Sequence, residues 1–351
     1  MIKISPKEQR IIALFLKKGK MPSSAVYSEL VNFGEEISLV TVKRILSKMA
    51  LRRLLEIQGS GRATSYDVST PGRIFADIDA REYCAAEPDR RYGMSGFNFE
   101  LFPALPSEIF EDKDLKTLNS ATMEYKRKTA DLPITIQKKE LERLVIELSW
   151  KSSKIEGNTY TLLDTEKLIL EHKEAPGHDK KEAIMILNHK DAFNFIHENK
   201  ALFKTLNRAN LEKLHAILVK NLSVGLGFRK RLVGVVGSKY RPLDNSYQIE
   251  EAISQLSLAV ARMKTAYDKA LVALLGISYI QPFEDGNKRT SRLMANALLL
   301  AHGLAPLSYR SVEENEYREA TLVFYELNSI APLRNIFVDQ YAFSANNYTV
   351  K

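Results

Sequence analysis

Apolar positions recur every three or four residues along most of this 351-residue chain, the spacing of helices that bury one face. Near the start, Ile11, Ile12, Leu14, Phe15 and Leu16 predict a helix over residues 5–18, opened by Ser5-Pro6 and stopped by Gly19. A second short helix runs to Val31 with Ser23 or Ser24 as its cap, and Ser38 opens a third over residues 39–49. The period then shifts: residues 54–57 and 64–68 flank the turn Gly59-Ser60-Gly61-Arg62 and predict a two-stranded hairpin. Residues 71–106 show no clear period, but Phe97, Phe99 and Phe102 argue against disorder and predict an ordered connector packed on the domain that follows. From Ser107 the pattern is helical almost to the end, with helices predicted at 108–128, 136–152, 162–172, 181–199, 210–221, 250–263, 267–279, 287–302, 313–328 and 332–343. One stretch, residues 228–242, breaks it: Val233, Val235, Val236 and the Gly237-Ser238 turn predict a β-hairpin.

Charge divides the chain more sharply than hydropathy does. The first 70 residues hold twelve Lys and Arg against six Asp and Glu, so this fifth of the chain carries +6 of the formal +8. Such local excess points to a polyanion partner. Three short helices and a hairpin resemble a winged-helix domain, in which the third helix enters the major groove of DNA. That resemblance implies that Thr41, Lys43, Arg44 and Ser47 or Lys48 face DNA, while Val40, Ile45 and Leu46 or Met49 hold the core. Arg62 in the wing becomes a phosphate contact, which gives salt-dependent affinity without sequence choice. Repressors of this type often act as dimers on paired half-sites, so a homodimer is a further expectation.

Composition otherwise is that of an ordinary globular protein, with 45% apolar and 27% charged residues. A single cysteine, Cys84, excludes an internal disulfide framework, and the six histidines form no metal-ligand pattern with it. No apolar run reaches the roughly 18 residues of a membrane span, and the first residues lack a signal-peptide core. The expectation is a cytoplasmic protein with no membrane partner.

The densest chemistry lies in residues 280–292, Ile-Gln-Pro-Phe-Glu-Asp-Gly-Asn-Lys-Arg-Thr-Ser-Arg, set between two apolar helical segments. Pro282-Phe283 ends one helix and Gly286-Asn287 opens the next, whose free N–H groups form a ready anion site. Lys288, Arg289 and Arg292 add positive charge to a first turn where the helix dipole favours acids, so the turn looks built for a bound anion. This stretch resembles the Fic family motif, His-Pro-Phe-x-Asp/Glu-Gly-Asn-Gly/Lys-Arg-x-x-Arg, at every position but the first. Residues 152–158, Ser-Ser-Lys-Ile-Glu-Gly-Asn, are similar to that family's inhibitory motif, with Ser152 in first place, Glu156 as the glutamate and Gly157 after it. The resemblance covers about residues 107–343. The implied fold is mainly α: an all-helical Fic-like domain (residues 107–351) with a β-hairpin flap, preceded by a small α+β winged helix (residues 1–70). Within it the inhibitory helix occupies about residues 137–157 and the flap residues 228–242.

The resemblance implies a nucleotide-dependent transferase, in most members an AMP transferase acting on Ser, Thr or Tyr hydroxyls of a target protein, with ATP and Mg²⁺ as cofactors. Carried over by position, Asp285 is the Mg²⁺ ligand. Gly286, Asn287 and Lys288 form the anion hole, and Arg289 and Arg292 hold phosphates. Glu156 pairs with Arg292 and blocks it, and Val235, Gly237 and Ser238 belong to the flap that holds the target segment. Gln281 stands where the family has its catalytic histidine. An amide does not titrate near neutral pH, so it cannot accept the hydroxyl proton, and loss of such a base typically slows a reaction about 10²- to 10⁴-fold. Lys288 replaces the usual glycine, as in Doc-type toxins that bind nucleotide in the reversed sense and transfer a phosphate. Three readings therefore stay open: a slow, autoinhibited protein AMP transferase, an inactive nucleotide-sensing transcriptional regulator, and a toxin-like phosphotransferase.

Overall fold

The computed structural model describes residues 4–350, with nothing stated for the side chain of Arg62. Its elements in chain order are α1 (Pro6–Lys18), α2 (Ser23–Asn32), α3 (Leu39–Leu51), β1 (Leu55–Gln58), β2 (Ser65–Val68), α4 (Thr70–Ile74), α5 (Ala80–Cys84), α6 (Leu101–Ala104) and α7 (Asp112–Thr129). There follow α8 (Ile134–Ile155), α9 (Leu162–Glu171), α10 (Lys180–Glu198), α11 (Arg208–Leu218), α12 (Ser246–Arg262), α13 (Ala266–Ile280), α14 (Asn287–Ala301), α15 (Glu314–Leu327) and α16 (Ala331–Asn347). The chain folds into two compact units. The first holds the described residues up to Leu105 with Val235–Tyr240 and Glu319–Leu333; the second holds the remainder.

In the first unit the start of α1 is fixed by a capping box. Ser5 Oγ accepts from Glu8 N at 3.3 Å and Glu8 Oε2 accepts from Ser5 N at 2.8 Å. Gly19, at φ +73°, ends the helix. Neither Ser23 nor Ser24 caps α2: its N-cap is Pro22, which has no side-chain acceptor. Ser38 does cap α3, accepting from Thr41 N at 3.2 Å. β1 and β2 pair antiparallel with Leu55 opposite Val68 and Gln58 opposite Ser65. Ile11, Phe15, Val26, Val42, Leu46, Met49, Leu54 and Val68 close the core between these elements.

Val40 departs from the expected pattern. It points outward at 77% exposure and Ile45 is half-buried, so the core face of α3 is Val42, Leu46 and Met49, one step round from the sequence reading. Residues 42, 46 and 49 keep the i, i+4, i+7 spacing of one buried stripe, which leaves position 40 on the far side. The connector belongs to this first unit rather than to the helical body that follows it. There the fully buried carboxylate of Glu326 accepts from Tyr83 Oη at 2.7 Å and Ser238 Oγ at 2.6 Å, and pairs with Arg91 Nη1 at 3.2 Å.

The second unit is helical throughout. α13 is buried on every face from Ala270 to Ile280 and packs along α14, which is buried from Arg289 to Leu300, so the link between them emerges from the centre of the unit. The expected β-hairpin over residues 228–242 is absent: the described chain has strands only at β1 and β2. Only a turn forms there, with Ser238 N donating to Val235 O at 3.2 Å and Gly237 at φ +76°. The physical reason is that no second run of chain pairs with these β-branched residues. Two backbone carbonyls of the stretch are held instead by side chains, Arg231 O by Arg229 Nη1 at 2.8 Å and Gly237 O by Arg91 Nη1 at 3.1 Å.

Candidate functional site

Between α13 and α14 the chain must reverse within six residues, and two left-handed residues do it. Gln281 is the C-cap of α13 at φ +52°, ψ +58°, and Gly286 is the N-cap of α14 at φ +78°, ψ +4°. Asn287 closes the loop between them: its Oδ1 accepts from Phe283 N and its Nδ2 donates to Phe283 O, each at 2.8 Å. Asn287 is therefore a loop clamp rather than a free donor. Phe283 is fully buried and stacks on His215 of α11, with ring centroids 3.6 Å apart and planes within 3°. His215 Nε2 donates to Asp285 O at 2.9 Å. Burial pushes this imidazole down to about 4, so it is neutral at pH 7 with its proton on Nε2. Arg229 grips the other side, N to Pro282 O at 2.9 Å and Nε to Gln281 O at 2.7 Å. His215 and Arg229 fix the loop backbone, roles that motif spacing does not reveal.

The start of α14 follows directly on this loop. It has no side-chain cap, and its first backbone donor to find a carbonyl is Thr290 N, on Gly286 O at 2.8 Å. Glycine suits position 286 because a side chain there would sit in a left-handed conformation and meet Val219, Arg289 and His215 at 3.4–3.6 Å. Arg289 is 2% exposed, contacts Asp285 Oδ2 through Nη2 at 3.2 Å, and has Nη1 buried without a hydrogen-bond acceptor among the described residues. The Asp285 carboxylate itself is mostly solvent-facing. Gln281 Nε2 donates to Ser278 O at 2.6 Å, which turns the amide back onto its own helix.

Arg292 is fully buried one turn further on. Its Nε donates to Ser152 Oγ at 2.9 Å, its Nη2 to Ser152 O at 2.8 Å, and Nη1 forms an ion pair with Glu156 Oε1 at 2.8 Å. The guanidinium lies 5.6 Å from the centre of the Tyr317 ring. Glu156 Oε2 also faces Lys288 Nζ at 3.7 Å. Burial alone would raise the Glu156 carboxyl; the charges of Arg292, Lys288 and Arg289 outweigh it and hold the group below the ordinary carboxylate range.

The end of α8 explains how a carboxylate comes to this place. Gly157, at φ +97°, terminates the helix in a Schellman turn, with Asn158 N on Ser153 O at 3.1 Å and Gly157 N on Lys154 O at 2.9 Å. Arg318 Nε and Nη2 both donate to Ile155 O, at 2.9 and 2.6 Å. Glu156 is thus presented by a fixed helix end.

Within the second unit the fold brings together Ser152, Glu156, Gln281, Asp285, Gly286, Asn287, Lys288, Arg289 and Arg292. The anticipated flap residues Val235, Gly237 and Ser238 fall in the first unit, where Ser238 binds Glu326 and Gly237 O accepts from Arg91 Nη1. Also there, Lys43 and Arg44 lie exposed on α3. Thr41 is half-buried with its hydroxyl 2.9 Å from Ser38 Oγ, and Arg62 sits on the turn before β2, its side chain outside the described residues.

One more residue was not foreseen from sequence. His189 of α10 is wholly buried, neither ring nitrogen has a hydrogen-bond partner among the described residues, and burial followed by the charges of Arg292 and Arg289 drives its pKa well below the usual value.

The fold and site define a mainly helical protein in which two buried arginines lie in the first turns of an uncapped helix, one of them ion-paired with a carboxylate of the same chain. Residues 205–299 match the model of the Fic/DOC family. The chain is 25% identical over 199 residues to the protein adenylyltransferase Fic of Nematostella vectensis, spanning 52% of this chain and 44% of that protein. It is 27% identical over 216 residues to the protein of the same name from Aedes aegypti, spanning 60% and 42%. The chain therefore spans less than half the length of these relatives. Among solved structures, a Fic domain containing signalling protein from Bacteroides thetaiotaomicron superposes with a TM-score of 0.55 at 19% identity, over 66% of this chain and 94% of that one. A Fic family protein from Desulfovibrio desulfuricans gives 0.56 at 18%, over 69% and 75%. These likenesses show a Fic fold. No helix among the described residues is long and apolar enough to cross a membrane.

Proposed function

We propose that this protein binds ATP with Mg²⁺ at the N-terminus of α14, in competition with Glu156, and transfers AMP slowly to a protein hydroxyl. The observation that carries the reading is the Glu156–Arg292 ion pair at 2.8 Å, in which a carboxylate takes the guanidinium a phosphate needs. The residues present suit a polyphosphate. The α14 start has no side-chain cap, Arg289 has a buried donor without an acceptor, and Lys288 adds a third charge beside Arg292. Asp285 offers the hard carboxylate oxygen that Mg²⁺ requires. When bound, the nucleotide supplies an activated phosphoryl centre and its leaving group. The chain supplies position and charge, which carry much of the catalysis in phosphoryl-type transfers. Gln281 supplies no base: its amide, turned onto Ser278 O, cannot hold the hydroxyl proton, which leaves to solvent.

Labelling with ATP and Mg²⁺ tests this directly. Wild type is expected to label itself or an added lysate protein little. Glu156→Gly should raise labelling, and Glu156→Gly with Gln281→His should raise it by a further 10²-fold or more. Histidine suits the left-handed backbone at 281, where it is one of the residue types found more often. Absence of labelling in the double variant, together with no ATP binding by calorimetry, would falsify the proposal. Mass spectrometry of the labelled site distinguishes AMP from phosphate and so decides the toxin-like alternative that Lys288 raises.

A second reading is supported by the first unit: a nucleotide-sensing regulator that binds DNA through a winged helix formed by α1, α2, α3 and the β1–β2 hairpin. Lys43, Arg44 and Lys48 lie outward on α3, and no acid among the described residues pairs with them. Mobility shifts at low salt test it. The two readings are compatible, since the Fic-like site and the DNA-binding unit use different residues.

A further inference from the structure

The outward face of α3 is not uniformly basic. Val40, Lys43, Ser47 and Leu51 follow one another at helical spacing and are all exposed, with Val40 at 77% and Leu51 at 86%. Arg44 and Lys48 form a second row turned toward α1, where with Ser5, Lys7, Glu8 and Ile45 they line a cleft of about 500 Å³. The one acid in that lining does not cancel their charge. Glu8 is nearly buried and engaged by Ser5 N at 2.8 Å and Arg52 Nη1 at 2.5 Å. Lys7 is shared with Glu35 at 3.1 Å, and Arg44 and Lys48 have no acid partner among the described residues.

We infer that α3 reads duplex DNA through Val40 and Lys43, with Arg44 and Lys48 seating the phosphate backbone in the α1–α3 cleft. The inference rests on the DNA-binding reading above and assigns its specificity. Charge complementarity selects the occupant, because a cleft in which Arg44 and Lys48 have no acid partner among the described residues suits a phosphodiester and repels a second copy of the same basic unit.

Residues in the first turns of a recognition helix reach base edges, and Val40 stands in the first turn of α3. The one apolar group on a base edge in the major groove is the thymine C5 methyl, which is what an uncovered Val40 can bury. Lys43, one turn on, has donors for guanine O6 and N7, the commonest specific contact of lysine. The site is therefore a thymine within one or two base pairs of a guanine. Arg44 and Lys48 add affinity and no sequence choice.

The experiment selects bound duplexes from a randomised pool with the full chain, then measures anisotropy of a labelled selected duplex from 50 to 200 mM salt. Wild type is expected to enrich thymine beside guanine. Lys43→Ala should lose the guanine preference by about 5- to 100-fold against the mismatched base, and Val40→Ala, which removes two methyl groups from the contact, should weaken the thymine preference. Neither Val40→Ala nor the pool's base preference should alter the salt slope. Arg44→Ala and Lys48→Ala should weaken all duplexes alike and each reduce the slope by about one unit.

Circular dichroism of each variant separates misfolding from lost contacts, and Val40→Thr, which keeps the branched shape and one methyl, should retain part of the preference. Unchanged base preference in Val40→Ala overturns the assignment while leaving DNA binding standing. No duplex binding by wild type at 50 mM salt removes the DNA reading itself. A dimer that Val40→Ala with Leu51→Ala disperses in ultracentrifugation, at unchanged base preference, overturns the assignment in favour of self-association.

Discussion

Replacing Glu156 by Gln should move nucleotide affinity and stability in opposite directions. The amide keeps the size of the side chain and an acceptor for Arg292 Nη1, now 2.8 Å away, but removes the charge. Breaking a fully buried ion pair typically costs about 3–5 kcal/mol, because the surviving charge is left uncompensated. Arg292 here keeps two donors on Ser152 and the Tyr317 ring, and the Glu156 side chain is 19% exposed, so about 2 kcal/mol is the better figure. If ATP needs Arg292 free, the same contact lowers its apparent affinity by the fraction of molecules in which Glu156 has let go. About 2 kcal/mol corresponds to roughly 30-fold. Glu156→Gln should therefore bind ATP–Mg²⁺ about 30-fold more tightly by calorimetry while unfolding at lower urea. Acid should imitate the substitution. A carboxyl held below its usual range contributes stability that is full above about pH 4.3 and is lost as pH falls through its lower folded value. Destabilisation without any gain in ATP affinity would refute the idea that Glu156 guards the cradle, and would leave it as a structural helix end.

Three other outcomes follow from the same geometry. Gly286→Ala forces a side chain into the left-handed region at φ +78°, at about 1–2 kcal/mol, and should lower both melting temperature and ATP affinity, whereas Gly303→Ala at a helix end remote from the motif should lower melting temperature alone. His215 is held neutral with its pKa near 4, so its contribution to stability is complete above about pH 6.5 and fades as pH falls from there toward 4. His215→Phe keeps the stacking on Phe283 but loses the bond to Asp285 O, so urea titrations should show it less stable at pH 7 and with a shallower loss toward pH 4. Glu326→Ala strips the acceptor from Tyr83, Ser238 and Arg91 at once and should cost about 3 kcal/mol or more in urea unfolding, with Ser238→Ala costing about 1.

The site is legible in the sequence where it rests on local pattern and illegible where it depends on what arrives from elsewhere. Glu156 and Arg292 lie 136 residues apart, and only two short motifs in fixed order point to their meeting. Ser5, Ser38 and Gly157 act as their positions suggest, because a cap or a left-handed stop is decided within four residues. Val40 looks like a core residue only while apolar character is equated with burial; the stripe of Val42, Leu46 and Met49 already fills that face. The hairpin over 228–242 fails for a related reason. β-branched residues favour an extended backbone, but a strand also needs a partner, and Arg229 and Arg91 take carbonyls that a partner would have used. His215 and Arg229 carry no motif of their own. Each binds main-chain oxygens of the loop, contacts that any donor of the right reach can make, so no residue pattern announces them.

That difference bears on how the cradle works. A motif lists groups proposed to meet a ligand, and on the reading proposed above one of them, Gln281, supplies no base. The groups that hold the loop in shape, His215, Arg229 and Asn287, are intact and satisfied. Preorganisation of an anion site survives the loss of a base because it depends on the backbone, not on a titrating side chain. On the proposed reading, nucleotide binding and its block by Glu156 should therefore persist even where transfer is slow, and calorimetry with ATP on wild type and Glu156→Gln tests this without any transfer step.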